Sequence, residues 1–95
     1  MIIRDLIWDD YNKAHIARHN VVPKEVEEVC AGFTLAQQGN KGRVVLIGPT
    51  KSGRILEVVL HLKNDDLYYV VTAHTANKKD RKLYNIEMEK QNESS

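Results

Sequence analysis

From Thr34 onward the apolar residues of this chain recur at every second position, and turn-forming residues interrupt them about every eight to twelve residues. "TLAQQ" runs into "GNKG", "RVVLIG" into "PTKSG", "RILEVVLHLK" into "NDD", and "LYYVVTAHT" ends the series. A period of two puts alternate side chains on opposite faces of an extended chain, so the pattern predicts four strands, most simply an antiparallel meander. "RVVLIG" and "ILEVVL" are almost continuously apolar, which predicts middle strands covered on both faces for part of their length. The segments on either side must supply those covering layers.

Ahead of the strands, a short strand is expected over roughly Ile2 to Trp8, followed by a helix in "DDYNKAHIARHN" that Asp9 or Asp10 can cap. In "VVPKEVEEVCAGF", Pro23 suits a first helical turn, Glu25 and Glu27 suit the positive end of the helix, and Gly32 suits its stop. Val22, Val26, Val29, Cys30 and Phe33 recur there at helical spacing as candidate core. After the meander, Asn77 can cap a last helix with Asp80 three residues on. Leu83 and Ile86 are expected to pack inward, with Tyr84 or Met88 beside them. The order β-α-α-β-β-β-β-α describes an α+β domain whose helices pack on a twisted antiparallel sheet.

A chain of 95 residues with 42% hydrophobic content suffices for one core. We expect one domain over residues 1–91 and a frayed tail at 92–95. No apolar run is long enough for a signal peptide or a membrane span, so a cytoplasmic protein without membrane association is expected. Cys30 is the only cysteine and reads as a buried apolar thiol. "GPTKSG" lacks the spacing of a phosphate-binding P-loop, and no Ser-His-Asp order stands out.

The first helix is unusual. At 100° per residue Asn12, His15, Ile16 and His19 share one narrow arc, so its one large apolar residue lies among three polar ones. His15 and His19 have the i, i+4 spacing of zinc-binding helices, yet Ile16 stands where a zinc protease needs glutamate, and no third ligand is evident. Neither metal nor cofactor is expected. The alternative is a hydrogen-bonded seam between helix and sheet, with His19, nearest the helix end, the more suited to a functional part.

Net charge is only +1, but its distribution is uneven. No acidic residue falls between Glu28 and Glu57, a stretch that carries Lys41, Arg43, Lys51 and Arg54. Lys78, Lys79, Arg81 and Lys82 crowd the start of the last helix, where the helix dipole disfavours cations and free amides attract anions. Such a cluster reads either as a phosphate site or as a solvated helix face. Strand alternation groups Tyr68, Val70, Thr72 and His74 on one face and Tyr69, Val71, Ala73 and Thr75 on the other. His74, beside the cations, could transfer protons in RNA cleavage or serve only to bind anions.

The run "IWDDYNKAHIARHNVVPKEVEEV", the "GR" pairs with "GRILEVV", and "YYVVTAHTANKKDRKLY" together resemble the BrnT family of bacterial toxins, from about Ile7 to Tyr84. The resemblance implies a RelE-like fold and a metal-independent endoribonuclease that inhibits translation. It also implies a protein antitoxin of the BrnA kind from an adjacent gene, of ribbon-helix-helix or helix-turn-helix type, with DNA bound only through the complex. It matches Arg43, Arg54, Arg81 and Tyr84 to family positions; with the residues read above, Arg43, His74, Arg81 and Tyr84 are expected in catalysis and Arg54, Lys78, Lys79, Lys82 and His19 in RNA binding. Four departures stand out: "TAH" replaces the family's usual "TAR" or "SAR", Asn20 replaces a frequent glycine, Val22 a Ser or Thr cap, and Asp80 a glutamate. The alternative is therefore a weak or inactive homologue, acting as a binding protein in a DNA-bound autoregulatory complex with its antitoxin.

Overall fold

A computed structural model describes residues 3–93. Its elements are β1 (Asp5–Ile7), α1 (Asp10–Ala17), α2 (Pro23–Ala31), β2 (Leu35–Gln38), β3 (Arg43–Pro49), β4 (Ile55–Asn64), β5 (Leu67–Thr75) and α3 (Lys78–Glu93). The element order is the expected one. The strands form one sheet in the order β1-β5-β4-β3-β2, and β2 to β5 are the antiparallel meander. One feature departs from an all-antiparallel sheet: β1 pairs parallel to β5, through Asp5↔Leu67, Leu6↔Tyr68 and Ile7↔Tyr69. The sheet is therefore mixed. Strand β1 is shorter than the expected Ile2 to Trp8, and Ile2 lies outside the described residues. Helix α3 takes in Asn92 and Glu93, the first half of the expected tail, while Ser94 and Ser95 lie outside the described residues.

The main core lies on one face of the sheet, where Ile16, Val21, Val26 and Val29 meet Leu46, Leu56, Val58, Leu60, Tyr68, Val70 and Ala73. Val26 and Val29 are fully enclosed, and each such side chain stabilises the fold by about 1.5–3 kcal/mol. On the opposite face Ile47, Ala76 and Tyr84 form a second, smaller core with Leu35, Ile55 and Met88. The middle strands are thus covered on both faces over part of their length. Four expected core residues are exposed: Val22 and Phe33 flank α2 outside its buried stripe, and Leu83 and Ile86 face away from the sheet because α3 docks through Tyr84 and Met88.

Strand β5 carries a bulge. Thr72 pairs with Val59 but Val70 pairs with Leu60, so Val71 has no partner on β4 and the alternation of faces slips by one residue. Tyr68, Val70 and Ala73 consequently share the main-core face. Tyr69, Thr72 and His74 share the other, opposite His61, Val59 and Glu57. The unbroken alternation read from the sequence, with Val70 and His74 on one face, is corrected by this inserted residue.

Helix α1 is held by a polar side chain. Asn12 is fully buried (0% exposed). Its amide nitrogen donates to the Ile7 carbonyl at 2.9 Å and the Val70 carbonyl at 3.1 Å, and its amide oxygen accepts from the Asp9 N–H at 2.9 Å. Asp9 returns the bond by accepting from the Asn12 N–H at 2.8 Å, completing a capping box. Strand β1 stops pairing at Tyr69, and Asn12 satisfies the next carbonyl on that edge of β5. The helix then closes as a Schellman motif, with Asn20 at φ 58°, its N–H donating to Ala17 and the Val21 N–H donating to Ile16. Asparagine serves there in place of glycine because its short polar side chain tolerates the left-handed region.

Replacing Asn12 by alanine removes three hydrogen bonds of a buried amide and takes its donor away from two carbonyls, so a loss of about 2–4 kcal/mol is expected in urea unfolding. Asn12→Asp, which aims a carboxylate at two carbonyls, should lower stability more than Asn12→Ala; equal or smaller loss would show that the amide is not the fastening.

Candidate active site

The face of the sheet opposite the main core is only half covered. Helix α3 occupies the end carrying Ile47 and Ile55. The other end is open, a cleft of about 500 Å³ lined by Tyr11 and His15 from α1, Tyr69, Val71 and Thr72 from β5, His61 and Lys63 from β4, and Arg43 from β3. Arg43, His61 and Tyr69 form one row across the sheet by register. None of the lining side chains is acidic, so the cleft favours an anion. His61 Nδ1 is buried without a hydrogen-bond partner among the described residues.

Four residues along β4 from His61, or roughly 13 Å, Glu57 pairs with His74 across the strands. The imidazole Nε2 lies 3.0 Å from the Glu57 carboxylate, and Nδ1 lies 3.0 Å from the Thr75 carbonyl. Both ring nitrogens face acceptors, so only the doubly protonated ring donates to both. The His19 ring lies edge-on to His74, with centroids 5.7 Å apart. Arg43, His74 and His19 from the sequence reading thus belong to one open face. Glu57, His61, Tyr69, Lys63, Tyr11 and His15 join them unassigned; the strand pairings that assemble them are non-local, and the β5 bulge conceals the face His74 takes.

Other expected site residues have different surroundings. Arg54 is a fastening: its guanidinium donates to the carbonyls of Asn20 at 2.6 Å and His19 at 3.1 Å, to the Thr75 hydroxyl at 2.9 and 3.2 Å, and pairs with Glu25 at 3.4 Å. Glu25 also accepts from the Val22 N–H at 3.1 Å, taking over the start of α2 where valine offers no cap oxygen. Tyr84 is buried in the second core, its hydroxyl donating to the Phe33 carbonyl at 3.2 Å, and burial raises its phenol above the ordinary range. Arg81 donates to the Ala76 carbonyl at 2.9 Å at the start of α3, and Lys78, Lys79 and Lys82 stand exposed on that same turn, outside the lining of the cleft. Asn77 caps α3 by accepting from the Asp80 N–H at 2.8 Å.

At the cleft edge, the Tyr69 hydroxyl donates to the Asp9 carboxylate at 3.0 and 3.2 Å. The Asn12 N–H bond, aided by this hydroxyl, holds Asp9 below the usual carboxylate range. Desolvation and the same carboxylate push Tyr69 up. Among the described residues no group of three or more His, Cys, Asp or Glu is arranged to hold a metal ion, and no helix is long and apolar enough to cross a membrane.

No protein-family model and no curated protein matches the sequence. Among solved structures, the chain is similar to the Brucella abortus ribonuclease toxin BrnT, with a TM-score of 0.63 at 18% identity, over 78% of this chain and 97% of that one. The chain has the BrnT fold. The likeness takes in nearly all of BrnT and about four fifths of this chain. The α+β architecture expected from the resemblance is therefore the observed one.

Arg54→Ala should lower stability by about 1–2 kcal/mol, and Arg54→Lys should recover little, since an ammonium cannot span two carbonyls, a hydroxyl and a carboxylate. Thermal unfolding of the two variants reads this directly. Burial pushes the Cys30 thiol up to about 11, which leaves roughly a hundredfold less thiolate at neutral pH than an ordinary cysteine. Alkylation by iodoacetamide at pH 8 should be correspondingly slow in the native protein and become fast in urea.

Proposed function

We propose that this chain is the toxin of a toxin-antitoxin pair and acts as a metal-independent endoribonuclease whose active site is the open face of the sheet. The observation that carries the reading is the His74–Glu57 pair, an acid and a base 3.0 Å apart on the same face as a cationic cleft, within the fold of a protein described as a ribonuclease toxin. RNA cleavage of this kind needs a base, an acid and fixed positive charge, and the last commonly contributes most.

In the proposed reaction Glu57 accepts the proton of a ribose 2′-hydroxyl as its oxygen attacks the adjacent phosphorus. The His74 imidazolium, drawn off Glu57 by the substrate, offsets the charge of the phosphorane and gives its Nε2 proton to the departing 5′-oxygen, while Arg43, roughly 13 Å along the sheet, holds a neighbouring phosphate of the strand. The phosphorus–oxygen bond to the 5′-oxygen breaks as the bond to the 2′-oxygen forms, leaving a 2′,3′-cyclic phosphate and a free 5′-hydroxyl. No metal ion enters the balance. His74 stands where the resembled family has arginine, and its partner Glu57 gives the substitution a chemical use that an arginine could not supply. The exposed lysines of α3 add long-range attraction for RNA, which salt weakens. The antitoxin partner, of the BrnA kind, would neutralise the toxin by covering this face, and the cytoplasm, where RNA is translated, is the compartment the activity requires.

The test is incubation of the purified chain with end-labelled RNA in EDTA, with and without ribosomes. Cleavage by the native chain, reduced about a hundredfold or more by Glu57→Gln and by His74→Ala, is expected. Tyr84→Phe, which keeps the buried ring, should cleave at nearly the native rate. Salt-sensitive RNA binding with no cleavage in any condition would replace this reading by that of a binding protein.

A further inference from the structure

Four rings stand in file along one side of the open face. Tyr11 and His15 have centroids 6.3 Å apart and planes within 13°, His15 and His19 are 5.6 Å apart, and His19 and His74 are 5.7 Å apart. Tyr11 and His15 stand at i and i+4 on α1, and His19, in the turn just past the helix end, continues their row. They are not core. Asn12 and Ile16 are the buried residues of α1, whereas Tyr11 is 73% exposed. A tyrosine exposed to that extent contributes little burial to the fold.

Across the cleft from Tyr11 and His15 stand Arg43, His61 and Lys63, with Tyr69 between, and the Lys63 ammonium lies over the Tyr69 ring at 5.7 Å from its centroid. Flat π faces on one side, cations on the other and no carboxylate in the lining match a nucleobase joined to its phosphate. They do not match a basic peptide, which would need acidic partners, nor a metal ion, which would need a further ligand set.

We propose that Tyr11 and His15 form a base-stacking subsite that admits only unpaired nucleotides of the RNA, seating a base beside the His19–His74 end of the row while Arg43 and Lys63 take its phosphates. The proposal rests on the ribonuclease reading above and goes beyond it by assigning a substrate form and two recognition residues. Bases within a duplex present their faces to one another, so a stacking wall selects single strands, loops and bulges. Because every base has a π face, selection is by strandedness more than by sequence.

The experiment measures fluorescence anisotropy of the native chain, Tyr11→Ala, Tyr11→Phe and the Tyr11→Ala/His15→Ala double variant. The probes are a labelled 2′-O-methyl RNA strand, which cannot be cut, the same strand with abasic sites, and its duplex. Native protein should bind the base-bearing strand more tightly than either other probe. Tyr11→Ala should weaken binding of that strand about tenfold, the size expected from losing one stacked base. It should leave the abasic strand unchanged, while Tyr11→Phe retains binding and the double variant loses more. The exposed position of Tyr11 keeps folding out of the comparison, and an unchanged melting temperature checks this. Equal effects of Tyr11→Ala on base-bearing and abasic strands, or no effect on either, overturn the subsite. Cleavage of ordinary RNA by the same preparation separates the two readings: cleavage with base-independent binding overturns the subsite alone, and absence of both cleavage and binding overturns both.

Discussion

The buried amide of Asn12 fixes what the rest of the molecule can be. Strand β1 is three residues long and leaves most of that edge of β5 unpaired, a position where a bare edge invites pairing with another chain. Asn12 continues the edge by donating to Ile7 and Val70 at once, and this sets α1 against β5 in one rotational setting. An apolar residue could bury as much surface there but would leave the two carbonyls unanswered, and an apolar contact tolerates sliding where paired hydrogen bonds do not. With Asn12 and Ile16 turned inward, Tyr11 and His15 are turned by the helical period toward the cleft, and His19 just past the helix end lies against His74. The polar arc that looks misplaced in the sequence is one fastening residue followed by two histidines whose rings line up toward His74.

Positive charge followed a different logic from the one its clustering suggested. Arg54 falls in the acid-free stretch and reads as a ligand for phosphate, yet its five donors meet His19, Asn20, Glu25 and Thr75 and join the α1–α2 junction to the sheet. Arg43, in the same stretch, lies on the cleft. The sequence cannot separate them, because the acceptors that claim Arg54 come from three distant segments. Tyr84 shows the same limit: its position in the motif is shared with the resembled family, but what surrounds it is α3, β3 and the Phe33 carbonyl, brought together only by folding.

Local chemistry was legible wherever it decides structure by itself. Pro23 opening α2, Asn77 capping α3, Asn20 ending α1 and the period of two through β2 and β3 each act within a few residues, and each is found in place. The parallel pairing of β1 was not legible, since its partner lies some sixty residues away in the chain. Nor was the outward turn of Leu83 and Ile86: a short amphipathic pattern fits two helix rotations, and docking on Ile47 and Leu35 chooses the one led by Tyr84 and Met88. Most of the fold could therefore be read, while the site could be read only as a set of residue types.

The bulge at Val71 connects these two levels. Without it, strict alternation from Val70 would set His74 on the main-core face, level with Leu56 and Val58, where an imidazole would lack a charged partner and displace apolar packing. The inserted residue moves the face by one position, so that Ala73 fills the core and His74 meets Glu57 on the open side. It also leaves Val71 in the lining of the cleft, next to the place where α1 crosses the edge. Bulges bend a strand and disrupt its ladder, a local cost to the sheet. Here the same residue that interrupts the ladder sets His74 against Glu57 on the surface that also carries the cleft, so the arrangement of the proposed site depends on the irregular point of β5.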